Sequence, residues 1–373
     1  MSISESPALS AATEERVAVA SNWTLVWWRF RKHYLALASA FVLAVLYIVV
    51  LCPDFFSTQN PELTDARQAF IPVQPLHFFD RGRFSLWVPE VVGKRNPVTL
   101  RMEWTPDPNR KIPVKLFAQR ASYRVLGLFE TNIHLLGPAD AGQRIFLLGS
   151  DRLGRDQWSR IMHGTQTSMT VGLVAVALSV VLGVALGGIS GYFGGLADQV
   201  IQRLIELLQS VPTIPIWLAL SAALPRDWTP TQVFFAITVI LSLVGWTTLG
   251  REVRGRFLAL REEDFVLAAK LAGCSQRRII LRHMVPTFLS HIIATSSLAI
   301  PVLIISETSL SFLGLGIRPP AISWGVLLQE AQNIQTLALA PWLLIPGVIV
   351  IVAVLAFNLV GDGLRDAADP YSH

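Results

Sequence analysis

The residues able to do chemistry in this chain are few, and none is spaced for catalysis. Gly187-Gly188-Ile189-Ser190-Gly191-Tyr192-Phe193-Gly194-Gly195 has the glycine density of a phosphate-cradling loop. It lacks the Lys-Ser/Thr ending that would reach the phosphates and their metal. None of the five lysines is followed by Ser or Thr, and neither His-Glu-x-x-His nor Gly-x-Ser-x-Gly occurs. Cys52 and Cys274 are not at zinc spacing. The reading is no catalytic residue, no metal site and no cofactor bound by this chain.

One segment is built for mechanical work instead. Between Arg251 and Pro286 the chain reads Leu267-Ala268-Ala269, three residues, Gly273, nine residues, then His283-Met284-Val285-Pro286. Glu262, Glu263 and Asp264 favour a helix start, and Arg277, Arg278 and Arg282 favour later turns, through the helix dipole. Ala268, Ala269, Ala272 and Gly273 recur at helical steps and leave a small-residue patch on which a partner surface can seat. Pro286 can open the next helix without losing a needed N–H. A push on this segment would pass directly into that helix.

The elements that position it are membrane helices. Of the 373 residues 52% are apolar and only 15% charged, where a soluble chain carries about a quarter charged. Apolar runs over 34–52, 166–190, 204–224, 231–250, 287–306 and 341–360 are each long enough to cross about 30 Å of hydrocarbon. The first run follows a polar leader and lacks a small-x-small site after it, so it reads as a span rather than a cleaved signal.

Basic residues divide by membrane side. Arg29, Arg31 and Lys32 precede the first run, and the 251–286 segment carries Arg251, Arg254, Arg256, Arg261, Lys270, Arg277, Arg278 and Arg282. The short opposite loops hold little beyond Arg226 and Arg318. The positive-inside rule then puts both termini in the cytoplasm. The formal charge of +5 reads as topology, not as nucleic-acid binding. Cys52 and Cys274 fall on opposite sides and cannot pair.

Five regions follow: a cytoplasmic segment 1–33, the first span 34–52, an extracytoplasmic part 53–165, a five-helix core 166–360 containing the 251–286 loop, and a cytoplasmic tail 361–373. Residues 1 to 20 are Ser-, Ala- and Glu-rich and expected to be disordered, and Trp23 to His33 suits an interfacial helix. In 53–165, Phe84–Val88 and Val114–Phe117 look like strands, and Pro106-Asp107-Pro108-Asn109 looks like a turn. A small, mainly β insertion is expected there.

Within the core, Gly183, Gly187 and Gly191 offer a helix-packing face. Pro212 and Pro215 predict a kink in the third run. The fifth run carries Ser290, His291, Thr295, Ser296, Ser297 and Pro301, polar enough to face the protein interior or a wet path. His291 reads as a hydrogen-bonded packing residue. Ser309 to Trp324 is too rich in Gly and Pro for one helix and reads as a structured outer loop or re-entrant turn. Charged residues near the runs, Glu206 and Glu307, sit near their ends rather than midway, unlike the relays of ion-driven carriers. The energy source is expected to be external.

The 251–286 segment resembles the coupling segment of permease subunits in binding-protein-dependent ABC importers, Glu-Ala-Ala-x3-Gly-x9-Ile-x-Leu-Pro. Ala268, Ala269, Gly273 and Pro286 match, while Leu267 replaces the Glu, His283 the Ile and Val285 the Leu. Three stretches resemble the oligopeptide and dipeptide branch: Leu148-Gly149-Ser150-Asp151-Arg152-Leu153-Gly154-Arg155-Asp156, Glu307-Thr308-Ser309-Leu310-Ser311-Phe312-Leu313-Gly314-Leu315-Gly316, and Gly361-Asp362-Gly363-Leu364-Arg365-Asp366-Ala367-Ala368-Asp369-Pro370. The segment 53–145 is longer than is usual in that branch.

The resemblance implies an all-α polytopic membrane protein with six transmembrane helices in the type I ABC importer permease fold, carrying the small β insertion. It implies a bacterial-type inner-membrane location and four kinds of partner besides the bilayer: a second homologous permease, two cytoplasmic ATPase subunits, an extracytoplasmic binding protein and the peptide it delivers. ATP and Mg2+ would sit on the ATPases. Leu267, Ala268, Ala269, Gly273, His283, Val285 and Pro286 would form the ATPase-coupling loop. Pro212, Pro215, Ser290, Thr295, Ser296, Ser297 and Pro301 would line the path. A non-peptide cargo such as an oligosaccharide or nickel chelate is an alternative, as are a self-contained carrier or channel and a membrane scaffold or sensor.

Overall fold

The computed structural model describes residues 22–80, 82–98, 102–140, 142–225 and 227–368. The expected disorder of the first 20 residues, Arg226 and Asp369-Pro370 lie outside them. α1 (Asn22–Phe30) turns at His33, whose ring accepts from Ala36 N at 3.3 Å, into α2 (Tyr34–Leu51), the first helix long and apolar enough to span. Trp27 and Trp28 are exposed, whereas Phe30 is buried against Ala36 and Ala367.

After the short α3 (Pro53–Phe56) comes an antiparallel meander of β1 (His77–Asp80), β2 (Arg83–Arg95), β3 (Met102–Val125) and β4 (Phe129–Pro138), in that order across one sheet. Leu86 and Val88 alternate onto the inner face of β2 and meet Ile112 and Val114 of β3, with Ile145 and Leu147 closing the core. Both strand-like stretches lie in this sheet. The expected turn at 106–109 does not form. Pro106 and Asp107 pair with Val91 and Glu90, and a register shift beside Lys111 absorbs the extra residues. A proline that cannot donate is accommodated at such a bulge.

α4 (Gln157–Phe193) starts before the apolar run at 166, because Asp156 caps it by accepting from Ser159 N at 2.9 Å. Its first turns are polar and buried by the outer loops, so hydropathy does not reveal them. The third run is not one helix. α5 (Gly195–Ser210) and α6 (Thr213–Ala222) meet at Val211-Pro212 with an 89° bend, a break far larger than the expected kink. Among the described residues five helices are long and apolar enough to cross a membrane, and this bent pair, taken as one broken span, makes a sixth.

α7 (Pro230–Leu260) begins with a Thr229–Gln232 capping box and runs ten residues past its apolar stretch. The nominal 251–286 loop is therefore helical for its first third. α8 (Asp264–Leu271) ends at Gly273 (φ 74°), with Gly273 N and Cys274 N returning to Lys270 O and Ala269 O. This corrects the single long helix implied by the charges. Helix resumes at Gln276, passes through a π turn (Ile279–Met284) and a 3-10 turn (Val285–Phe288) around Pro286, and becomes α9 (Leu289–Phe312).

Outside α9 the chain turns through Gly314 and Pro319-Pro320 to α10 (Trp324–Gln329) and α11 (Ile334–Leu339), the structured loop expected. α12 (Ile345–Ala368) is the last span and carries the Gly361–Asp366 motif within the helix. Gly361 packs on Leu298 and Gly363 on Ala36.

The core forms around α4 and α7. Gly187 faces the Gly250 carbonyl, and a Cβ on Gly191 would lie 2.6 Å from that of Phe257, so the backbones touch. This is the helix-packing role expected of the glycine face. Trp324 is fully buried beside Met169, Ile304 and Phe357, and its indole N–H donates to Thr165 at 3.1 Å.

Candidate functional site

The inner segment is a short exposed helix held on a buried base. α8 is eight residues long, too short to be stable alone. Val266 anchors it, buried with Val253, Phe257, Ile279 and Met284. Burying that one side chain contributes about 1.5–3 kcal/mol. Opposite the anchor, Leu267, Ala268, Ala272 and Gly273 are exposed, and Leu271 is 90% exposed. A side chain at Gly273 would meet nothing within 4 Å. Ala269, His283 and Val285 are half-buried against the base, and Pro286 is exposed. The seven residues thus share one inner patch, but three of them serve its base.

The second feature is a cavity of about 540 Å³ between α4, α7, α9 and the α5–α6 break. Pro212, Thr295 and Ser296 line it, with Gln209, Thr247 and Trp217. Pro215, Ser290, Ser297 and Pro301 do not. Pro301 is buried within α9, and Ser297 turns its hydroxyl back to Ile293 O at 2.8 Å. Trp217 Nε1 is buried without a hydrogen-bond partner, and the cavity is the space this indole borders. Gln209 donates to Thr247 Oγ1 at 3.2 Å across it.

Two charge pairs near the inner ends were not legible in sequence. Glu252 of α7 lies 3.2 Å from His291 Nε2 and accepts from Thr295 Oγ1 at 3.2 Å. His291, read as a hydrogen-bonded packing residue, faces a carboxylate on another helix at ion-pair distance. Asp198 of α5 takes both arms of Arg254, at 2.6 and 2.7 Å, which tethers the bent pair to α7. A local clue existed for neither, because each partner lies more than 35 residues away.

The outer end carries a buried ionic network. Asp151 accepts from Arg155 Nε at 2.6 Å and from Arg160 Nη1 at 2.7 Å, and Arg155 also reaches Glu330 at 2.6 Å. Arg160 is 2% exposed. The Leu148–Asp156 motif and the loop after Glu307 are therefore one clamp. Glu307 is buried and accepts from Ser168 and Ser311, each at 2.8 Å, while Trp324 N donates to Ser168 at 3.1 Å. Beside the clamp, burial pushes the Asp156 carboxyl above its ordinary value despite hydrogen bonds from Ser159 and Thr58. Asp54, at the base of the insertion, is pulled below its ordinary value chiefly by the hydrogen bond to His163.

Comparison with known proteins gives this layout its family. Residues 179–371 match the family described as "Binding-protein-dependent transport system inner membrane component", and residues 21–73 match the "N-terminal TM domain of oligopeptide transport permease C". The chain belongs to this permease family. It is similar to the oligopeptide transport system permease protein OppC of Bacillus subtilis, 35% identical over 60% of this chain and 70% of that one. The OppC of Haemophilus influenzae is 36% identical over 65% and 75%, and the dipeptide permease DppC of Alkalihalophilus pseudofirmus 38% over 60% and 71%. Among solved structures, an inward-facing MetNI methionine ABC transporter overlaps 56% of this chain at 16% identity, with a TM-score of 0.43. The permease is accordingly a multi-pass inner-membrane protein with the spanning helices of its family, and it carries a β insertion between the first two of them.

Proposed function

We propose that this permease is one transmembrane half of an ATP-driven importer of peptides. A second homologous permease completes the path, an extracytoplasmic binding protein delivers the cargo, and two cytoplasmic ATPases holding ATP and Mg2+ supply the work. The termini and the α8 patch face the cytoplasm in this reading. The observation that carries it is the short path from the exposed patch to the cavity. The exposed α8 patch leads through the π and 3-10 turns into α9, whose Thr295 and Ser296 line the cavity. A load on α8 therefore reaches the cavity wall through the Gly273–Ser275 turn and this irregular stretch. A π or 3-10 stretch within a helix is a common place for a hinge. Peptide cargo rests on the names of the relatives, every one of those cited being an oligopeptide or dipeptide permease.

The seven coupling residues divide in this reading between contact and support. Leu267, Ala268, Gly273 and Pro286 meet the ATPase, while Ala269, His283 and Val285 shape the surface from beneath. Pro212, Thr295 and Ser296 meet cargo. Pro215 and Pro301 act on helix shape, and Ser290 and Ser297 stay at the margin of the path.

The test is Leu271→Glu, with Gly273→Arg beside it. Leu271 makes no buried contact, so the variant should insert and melt within about 0.5 kcal/mol of wild type. It should nonetheless lose at least tenfold in ATP-dependent peptide uptake by proteoliposomes holding the purified complex. Gly273→Arg should also lose ATPase association, but its φ of 74° adds backbone strain. Normal uptake by Leu271→Glu would remove the patch from the mechanism.

A further inference from the structure

The β insertion ends in an apolar tip. The β3–β4 hairpin turns at Leu126-Gly127-Leu128, closed by the Val125–Phe129 pair. Leu126 is 62% exposed, Leu128 74% and Phe129 72%. Exposed Arg124 and Glu130 pair just behind the tip, so five apolar or glycine residues project beyond a charged collar. Leu126 adopts φ 50° and Gly127 φ 73°. Asn or Gly suits the first of these positions far better than leucine. A large apolar side chain is therefore kept where the backbone disfavours it and where it touches little of the protein.

The tip does not point into open solvent. Val125, Leu126 and Gly127 share a hollow of about 230 Å³ with Leu51 and Cys52, at the end of the first span, and with Gln166. Gln166 donates to Val50 O at 3.1 Å. It lies nine residues inside α4, about 14 Å along the axis from its start. The end of α2 and the adjoining turn of α4 thus border the tip together and put it level with the last turn of α2. Ile48 and Leu51, on that turn, are themselves more than half exposed, so the apolar surface continues from span to hairpin. His134 fixes the hairpin at this height, with Nδ1 2.7 Å from Asp54 O and Nε2 3.1 Å from Ala121 O.

We infer that Leu126, Leu128 and Phe129 insert into the outer leaflet of the membrane that the chain spans, making the insertion an interfacial anchor. Apolar and aromatic side chains backed by an arginine match the chemistry of a bilayer interface, where rings and aliphatic groups enter the acyl boundary and charge stays among headgroups. The occupant is phospholipid. The inference rests on the cytoplasmic placement of the termini proposed above and is independent of the cargo.

The test uses the full-length chain in nanodiscs of phosphatidylcholine and phosphatidylglycerol, with Cys52→Ala and Cys274→Ala as background. An environment-sensitive NBD label is placed at Leu128→Cys and, as a reference, at Asp140→Cys beyond the far end of β4. The label at 128 should emit to the blue of that at 140, resist iodide, and be quenched at least twofold more strongly by lipid spin-labelled near the headgroup. Equal iodide quenching at the two positions with no effect of spin-labelled lipid would overturn the inference. So would shielding of position 128 from both quenchers, which would assign the tip to a protein contact. Retained near-ultraviolet dichroism of the labelled chains, which the buried Trp324 and the insertion's aromatics supply, shows that each reading comes from the folded state.

Discussion

The two ends of the long α4 helix are held in opposite ways. At the outer end Asp151, Arg155, Arg160 and Glu330 form a network in which Arg160 and Asp151 are 2% and 1% exposed. At the inner end the Asp198–Arg254 pair is 20% and 31% exposed, and Glu252–His291 is more open still. Charges taken fully out of water are stable only while every partner stays in place, because an orphaned buried charge is costly. Hydrated pairs can separate and re-form at little cost. The outer clamp therefore resists partial opening, and the inner joints permit it. The difference matches a machine loaded from the α8 side, where the helix geometry also changes from π to 3-10 to α.

Breaking this contrast should show first at the clamp. Arg160→Met removes one of the two guanidinium partners of a buried carboxylate and should cost about 3–5 kcal/mol in thermal unfolding monitored in detergent. A loss below about 1 kcal/mol would mean that water already reaches the network. The matched inner change, Asp198→Asn, should cost about 1 kcal/mol, because Arg254 can turn to solvent. Equal costs for the two variants would dissolve the distinction.

A smaller effect concerns pH at the insertion. The folded-state carboxyl of Asp54 sits below its ordinary value, so the stability it contributes is present above about pH 4 and is lost as pH falls through the lowered value. Its neighbours are His163, at 3.2 Å, and His134. Unfolding of the insertion, followed by tryptophan emission between pH 5 and 3, should show that loss in wild type, and His163→Ala should flatten it. An unchanged slope in the variant would place the acid sensitivity elsewhere.

What could be read from sequence divides along the same line. Runs of apolar residues reveal helices facing lipid, so α2, α7, α9 and α12 were legible to within a few turns. The first turns of α4 were not, because Gln157, Ser159, Arg160 and His163 are polar and buried by protein instead of lipid. Pro212 announced an interruption but not its 89° angle, which depends on packing against α7. Pro106 to Asn109 signalled a turn by composition, and the pairing with β2 overrode it. The coupling motif was legible because its residues are local. The charge pairs Glu252–His291 and Asp198–Arg254 join distant helices, and no spacing along the chain encodes them. The path residues fall between these cases: the polarity of Thr295 and Ser296 pointed to a cavity, but polarity alone could not distinguish them from Ser297, which does not line it.

The contact of α4 with α7 has a further consequence. Where Gly187 and Gly191 bring main chain against main chain, little side-chain bulk lies between the two helices to absorb displacement. The two behave as a single laminated beam across the bilayer. Any tilt imposed on the half of α7 nearer α8 is shared by its neighbour over that length, and the compliance of the subunit is left to the hinge at Pro212 and to the turns ahead of α9.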